Sequence, residues 1–490
     1  MRQSVPGEYI IETIKTEILN ISRWVADRVQ AMFNLLSRYG RVYWLECSNT
    51  YLKSFQTMPS RLVVAVFSFI GLSYFSVAIA NEPRKPSGTT IDLTNSRDWR
   101  WWRGPQRNGN ASADQHPPLH WSETENIVWK SPVPGRGHSS PTVFGDKIFL
   151  LTAEHDNNVQ SVLCFHRETG EKLWQTPVHH GEFMVEGTKA NAKSTFANST
   201  VACDGERLFA NFLHNGAVYT TCLDLNGKQI WQKKITDYIL HQGFASSPAV
   251  YKNLVIVSAD NKGKGAIVAM NKATGDFVWE HRDRPKLPNY TSPIILNVAG
   301  REQLIFFGCK LITSYEPLTG EKIWEIEGST EECVTSTVTD GKLIYTTGGY
   351  PRNHLSAVQA DGSGKIAWEN GSRVYVPSML LKDGYLYATL DAGVATCWKC
   401  DTGEEIWKER LGGTFTSSPV LVGDNIFATN ESGKTLIFKA SPKGYSQVAE
   451  NQLAEEAFAT PTICGDRIYM RAANTIDGKR QEMLYCIGAK

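Results

Sequence analysis

The chain has no excess charge of either sign, no cysteine framework and only one long apolar run. Across 490 residues, 51 Lys and Arg stand against 50 Asp and Glu. So even a balance supplies no overall field, and neither nucleic acid nor an anionic membrane surface is an expected partner. The ten cysteines show no framework spacing, and nowhere do two stand side by side. Cys47 precedes the apolar run and nine cysteines follow it, an odd number that cannot pair fully within one chain. No G-x-S-x-G nucleophile motif occurs, so a hydrolase has no support.

What the chain has instead is turn and ring chemistry. Glycine (40) and tryptophan (14) stand out, within an ordinary hydrophobic content of 41%. Many turns and many large flat side chains suit short strands better than helices.

The single apolar run lies in "MPSRLVVAVFSFIGLSYFSVAIA", residues 58–80. Arg61 gives a positive start, Leu62 to Phe75 an apolar centre, and Ala78-Ile79-Ala80 a small-residue cleavage pattern, the layout of a secretory signal. No cysteine sits at the cleavage point to take a lipid. Because residues 1–57 come first, two readings stand: a cleaved signal starting at Met58, or an uncleaved membrane anchor. The extension carries a helical apolar stripe from Ile11 through Ile14, Ile18 and Ile21 to Leu36. Residues 81–98, rich in Pro, Ser and Gly at 82–90, read as a linker, and 99–490 as one domain. Either reading places everything after Asn81 outside the cytoplasm, with membrane contact only through 58–80 if that segment stays in place.

A repeat dominates 99–490. The segments "ETGEKLW", "LNGKQIW", "ATGDFVW", "LTGEKIW", "GSGKIAW" and "DTGEEIW" end at Trp174, Trp231, Trp279, Trp324, Trp368 and Trp407. Their spacings of 57, 48, 45, 44 and 39 fall in or near the window of four-stranded propeller blades. In step with them runs a second marker, a Ser/Thr-rich entry followed by a hairpin, from "HSSPTVFGDKIFL" to "FATPTICGDRIYM". It occurs eight times. A small residue about ten positions before the tryptophan, such as Cys164 or Ala269, marks the third strand. The seventh unit loses the aromatic, with Phe438, Gly444 and Val448 in its three places. The eighth ends at "MLYCIGAK" without an outermost strand, which "NIVWK" with Trp129 is expected to supply from the other end. The expected fold is therefore all-β: eight four-stranded antiparallel blades, closed by an N-terminal strand.

These units resemble the PQQ-like repeat of quinoprotein-type eight-bladed propellers, with "AMNKATGDFVW" and "CLDLNGKQIW" close to the pattern Ala-x-Asp-x-x-Thr-Gly-x-x-x-Trp. The opening "WRWWRGPQRNGNAS" and the ending "LYCIG" are similar to a bacterial secreted branch. The resemblance implies the ring, not the cofactor, because the family includes both quinone dehydrogenases and propellers that bind no quinone. In the alcohol dehydrogenases of this group it implies a Cys-Cys disulfide over the quinone, a calcium ion held by Glu and Asn, and a catalytic Asp. No such set can be nominated here.

Candidate binding residues are those just before first strands, where loops of one propeller face converge on the axis: His138, His241, Tyr290, Glu331, Glu332, Arg373 and Tyr375, with Glu455 and Glu456. Arg103 and Arg136 are candidates to fold over the same face. His179 and His180, with Glu182 or Glu186, offer a metal set, against the plainer reading of a solvated loop. "CWKC", Cys397 to Cys400, falls on an expected strand, and its two thiols should face opposite sides. Cys203 with Cys222, and Cys464 with Cys486, sit on strands separated by one other. Their backbones are nearly 10 Å apart at about 4.8 Å per strand, too far for a disulfide. No metal or cofactor is expected. The function expected is a binding or assembly scaffold of the cell envelope without its own catalysis, taking a protein segment or small molecule at the propeller face. The alternative is a quinone-dependent alcohol or sugar dehydrogenase with calcium.

Overall fold

The computed structural model describes residues 97–489. The extension 1–57, the apolar segment 58–80 and all of the linker but Arg97 and Asp98 lie outside the described residues. Within them, thirty-two strands form eight four-stranded antiparallel sheets with no helix. The first strands of neighbouring sheets approach one another, which sets the sheets radially as blades about an axis.

Blade one runs Thr142–Phe144, Lys147–Glu154, Val159–His166 and Lys172–His180, from the axis outwards. Its second and third strands are buried along almost their whole length, because a neighbouring blade covers each face. Hence they read as near-continuous apolar runs rather than alternations. The outermost strand faces solvent in part and alternates more clearly. Six further blades span residues 202–237, 249–281, 294–327, 338–370, 380–410 and 420–452. Blade eight takes Thr462–Cys464, Arg467–Ile476 and Lys479–Ile487, and its outermost strand is Ile127–Val133. The ring closes as the sequence implies.

The tryptophan motif is an inter-blade clasp. Each marker tryptophan sits opposite the small residue of its own third strand: Cys164 faces Trp174, Ala269 faces Trp279 and Cys486 faces Trp129. A one-residue bulge follows each time. The indole then reaches the third-to-fourth strand turn of the next blade. Trp129 Nε1 donates to Arg167 O at 3.0 Å, Trp279 to Pro317 O at 3.1 Å and Trp407 to Ser441 O at 2.8 Å. The glycine of that turn lies flat against the ring. Gly320 has φ +73°, and a Cβ there would come 2.6 Å from Trp279. Glycine alone meets both demands. Trp324 differs: it donates to Gln303 Oε1 of its own blade, and Gln303 Nε2 continues to Ala360 O of the next.

Blade seven corrects the expected alignment. Ile437 faces Ala449 just before the bulge, so Ala449, not Val448, fills the tryptophan place, and Ile437, not Phe438, the small-residue place. Without the aromatic, nothing in the letters marks where the bulge falls.

Candidate functional site

The Ser/Thr entries of the eight blades meet at the axis as a ring. Ser140 N donates to Thr200 Oγ1 (3.3 Å), Thr200 N to Ser247 Oγ (2.9 Å) and Ser247 N to Ser292 Oγ (2.9 Å). From Ser336 the same bond runs through Ser378 and Ser418 to Thr460, at 2.9 Å each, and Thr460 N returns to Ser140 Oγ at 3.1 Å. Between Ser292 and Ser336 no such bond is made; instead Ser336 Oγ accepts from Trp102 Nε1 at 2.8 Å. In seven of the eight copies the hydroxyl accepts a neighbouring blade's main-chain N–H at a crowded axis, and in the eighth, Ser336, it accepts from Trp102.

Trp102 belongs to a segment crossing the face that carries the first-to-second strand turns. Asp98 Oδ1 accepts from Gly145 N at 3.0 Å, and Trp99 pairs with Val143. Arg103 is buried beneath the ring, with Nη1 on Pro419 O (3.0 Å) and Nη2 on Met379 O (3.1 Å). Its guanidinium bonds are to main-chain carbonyls, and burial lowers its pKa to about 9. Arg103 thus reaches the axis from the opposite face to the one expected for it. The displacement follows from topology: the segment precedes the strand that closes blade eight, and runs along the turns rather than the entry loops.

Above the ring opens a cavity of about 430 Å³. Trp102, Phe244, Tyr290, Tyr375, His138 and Phe458 line it, together with the amide side chains of Asn191, Asn198 and Gln242. The His138 imidazole stacks on Phe458 with centroids 4.5 Å apart. Its Nε2 is buried without a partner, and burial, with Arg471 and Arg136 nearby, holds its pKa well below the usual value. His138 is therefore neutral. The Tyr290 hydroxyl is also buried without a partner at hydrogen-bond geometry, although the Gln242 main-chain amide leans towards it. Burial raises its pKa, so it stays protonated.

The connection 181–198 arches over this mouth. Asn191 binds Gln242 through both main chain and side chain at 2.9 Å, and Lys193 Nζ reaches Glu431 of blade seven at 2.7 Å. Glu431 also accepts from Thr416 Oγ1. Of the residues expected at the mouth, His138, Tyr290 and Tyr375 come together in the cavity. His241 and Glu332 stand beside it: Glu332 Oε1 meets His241 Nε2 at 3.0 Å, and Oε2 accepts from Tyr375 at 3.4 Å. Glu331 turns outward to Lys310, and Arg373 to Asp391. Glu455 and Glu456 bind Thr475 and Arg480, and Arg136 pairs through its main chain with Ala153. Trp102, Lys193, Glu431 and Phe458 were not anticipated. Phe458 had a readable signal, being the aromatic of the eighth "FATP" entry.

His179 is not in a loop. It is a buried strand residue stacked on His214, with centroids 4.6 Å apart. Among the described residues no group of three or more His, Cys, Asp and Glu could hold a metal. Cys397 and Cys400 pack into different apolar clusters on the two sides of blade six. Burial pushes their pKa values up to about 12 and about 11.

Fold and site define an eight-bladed propeller of PQQ-like repeats with an axial cavity open at one face. A family model described as outer membrane protein assembly factor BamB matches residues 110–237 and 158–409. The chain belongs to that PQQ-like repeat family. It is 25% identical over 315 residues to the outer membrane protein assembly factor BamB of Burkholderia pseudomallei, covering 60% of this chain and 72% of the relative. It is 23% identical over 322 residues to a polyvinylalcohol dehydrogenase of Sphingopyxis, covering 61% of this chain but only 42% of that enzyme. Among solved structures, a europium-containing methanol dehydrogenase superposes with a TM-score of 0.58 at 11% identity, covering 81% of this chain and 99% of that one. That likeness shows the fold alone.

Proposed function

We propose that this protein is a binding and assembly scaffold of the bacterial cell envelope, acting outside the cytoplasm, whose axial face receives its partner and which performs no catalysis of its own. The observation that carries this reading is the chemistry of the cavity lining. A calcium ion takes carboxylate oxygens among its ligands, and a polycarboxylate quinone needs cations against its acid groups. Among the described residues no Asp, Glu or Arg lines the cavity, and the one lysine that does, Lys193, is already bound to Glu431. The residues present do not fit the quinone–calcium pair. The relative named as an outer membrane assembly factor supports an envelope setting.

The similarity to polyvinylalcohol dehydrogenase keeps a quinone-dependent oxidoreductase as the second reading. One experiment separates the two. The purified protein is mixed with pyrroloquinoline quinone and calcium, then assayed for dye-linked oxidation of alcohols and sugars. The scaffold reading expects neither saturable quinone binding nor turnover. Dye reduction dependent on both additions overturns it.

A further inference from the structure

Outside the axial cavity, an apolar groove of about 200 Å³ opens between the 181–198 connection and the connection from blade two to blade three. Along it Phe183, Leu213 and Tyr238 belong to the buried core, whereas Met184, Val185 and Ile239 are exposed at 37%, 46% and 55%. Single apolar side chains on a surface need no explanation, but three gathered on one groove do. Both walls hang from one turn of blade two: Asn215 N donates to Phe183 O at 2.8 Å, and Tyr238 N to Gly216 O at 2.7 Å. Val185 lies against Gly216, where a Cβ would come 2.7 Å from its Cγ2, and Val185 O accepts from Thr188 Oγ1 at 2.7 Å. The groove is thus held open by main-chain bonds and needs no rearrangement to receive a guest.

Beside the groove the surface turns basic. Ile239 N donates to Asn261 Oδ1 at 3.2 Å, and the same oxygen accepts from Gly263 N at 2.7 Å. The apolar wall is therefore tied to the loop that carries Lys262 and Lys264. Thr236 Oγ1 donates to Lys264 O at 2.7 Å and Arg282 Nη1 to Ile235 O at 3.0 Å, framing a recess lined by Lys234, Lys264, Arg282 and Asp237. Lys234 takes Asp237 at 2.6 Å, and Arg282 takes Glu280. Lys262 and Lys264 are exposed, and among the described residues neither has a carboxylate within ion-pair distance. The imbalance is local: between Lys228 and Lys286 ten Lys and Arg stand against five Asp and Glu, in a chain whose totals nearly cancel.

The two features together select a partner. An anionic group alone would leave the groove unfilled, and an uncharged apolar one would gain nothing from the lysines. A groove of this volume takes single side chains, and the cations next to it favour carboxylates beside them. We infer that the groove and its lysines dock a short segment of another protein. That segment inserts a large apolar side chain between Met184, Val185 and Ile239 and sets Asp or Glu against Lys262 and Lys264. The inference rests on the scaffold reading above and names the chemistry of the partner.

The test pans the whole purified protein against random peptides displayed on phage, then measures the selected sequences, synthesised, by fluorescence anisotropy. They are expected to carry Leu, Ile, Phe or Met beside Asp or Glu, and to bind more weakly as salt rises. Ile239→Asp should weaken the best of them about tenfold or more, and so should the double change Lys262→Glu with Lys264→Glu. All three side chains are exposed, so the unfolding midpoint should not move. Ile476→Asp, at a comparably exposed apolar site on blade eight (49%), should bind as the parent does. Exchanging the peptide's acidic residues for lysine should restore affinity for the double variant. No enriched consensus, a consensus without acidic residues, or binding indifferent to Ile239→Asp overturns the inference. So does Ile239-dependent sedimentation with phosphatidylglycerol vesicles, or a homodimer that Ile239→Asp dissolves. Quinone-dependent dye reduction by a protein that still binds its peptide here would sink the non-catalytic reading while leaving the docking surface intact.

Discussion

Trp129 stands directly opposite Cys486, so the strand that opens the ring of blades is zipped to the strand that ends it. The pair repeats, at the join, the relation of Cys164 to Trp174 inside blade one. The join is thus built as a blade, with the same clasp onto the turn at Gly170. Its removal would leave the Lys479–Ile487 strand as a long unpaired edge. A chain beginning at Gly135 is expected to aggregate in light scattering, whereas one beginning at Arg97, which keeps the buried segment before the strand, stays dispersed. Equal behaviour of the two would mean that closure does not depend on this strand.

The clasp itself can be tested at blade three. Trp279 is buried and holds Pro317 O, with Gly320 against its face. Trp279→Ala should cost about 3–5 kcal/mol in denaturant unfolding. Gly320→Ala adds a side chain at positive φ and only 2.6 Å from the indole, and should cost about 1–3 kcal/mol. Trp324 lacks the direct bond to the next turn, so Gln303→Ala is expected to destabilise blades four and five through the lost relay.

The clasp was legible because its two ends, glycine and tryptophan, recur as letters at a blade-like spacing. Blade closure followed from counting strands. Other features needed the ring assembled. The Ser/Thr of each entry was visible eight times, but its service to the next blade appears only when eight first strands converge. Trp102 and Lys193 reach the axis from connections that carry no repeat, so no phase could place them. His179 looked like loop because two adjacent histidines break the apolar alternation; in the fold, His214 and Phe212 of the neighbouring blade cover it.

The nine described cysteines are all buried free thiols. Cys203 and Cys222 are held apart by the Arg207–His214 strand, and Cys464 and Cys486 by Arg467–Ile476. Burial raises the pKa of each of these four to about 12, so at pH 8 they are protonated and shielded. Ellman's reagent should find almost no reaction with the native fold, and most thiols after denaturation without reductant. Rapid native labelling at Cys397 or Cys400 would contradict the structural role assigned to that motif.

Beside the mouth, Arg471 and Glu482 form an ion pair at 1% and 2% side-chain exposure, with Arg471 Nε and Nη2 both on Oε2 while Oε1 accepts from Arg480. Glu482→Ala leaves the Arg471 guanidinium buried without its counter-charge and should cost about 3–5 kcal/mol. The double change Arg471→Met with Glu482→Leu removes both charges and should recover most of that loss. If the double variant is as unstable as the single one, the pair contributes more than the avoidance of a stranded charge.

Acid should weaken the fold through His179. This imidazole is 7% exposed, stacked on His214 and without a partner at Nε2. Burial, helped by His214 and His180, lowers its pKa from 6.5 to about 3. Above pH 6.5 both folded and unfolded chains carry it neutral, so it adds no pH dependence there. Between 6.5 and about 3 the unfolded chain binds a proton that the folded chain refuses, and stability falls as pH falls, by up to about 1.4 kcal/mol per pH unit. His179→Leu keeps an apolar contact with Phe212 and removes the proton site. Its unfolding free energy, followed by urea titration from pH 7 to pH 4, should therefore decline less steeply than that of the parent. Parallel slopes would show that the buried ring takes up its proton without leaving the folded state.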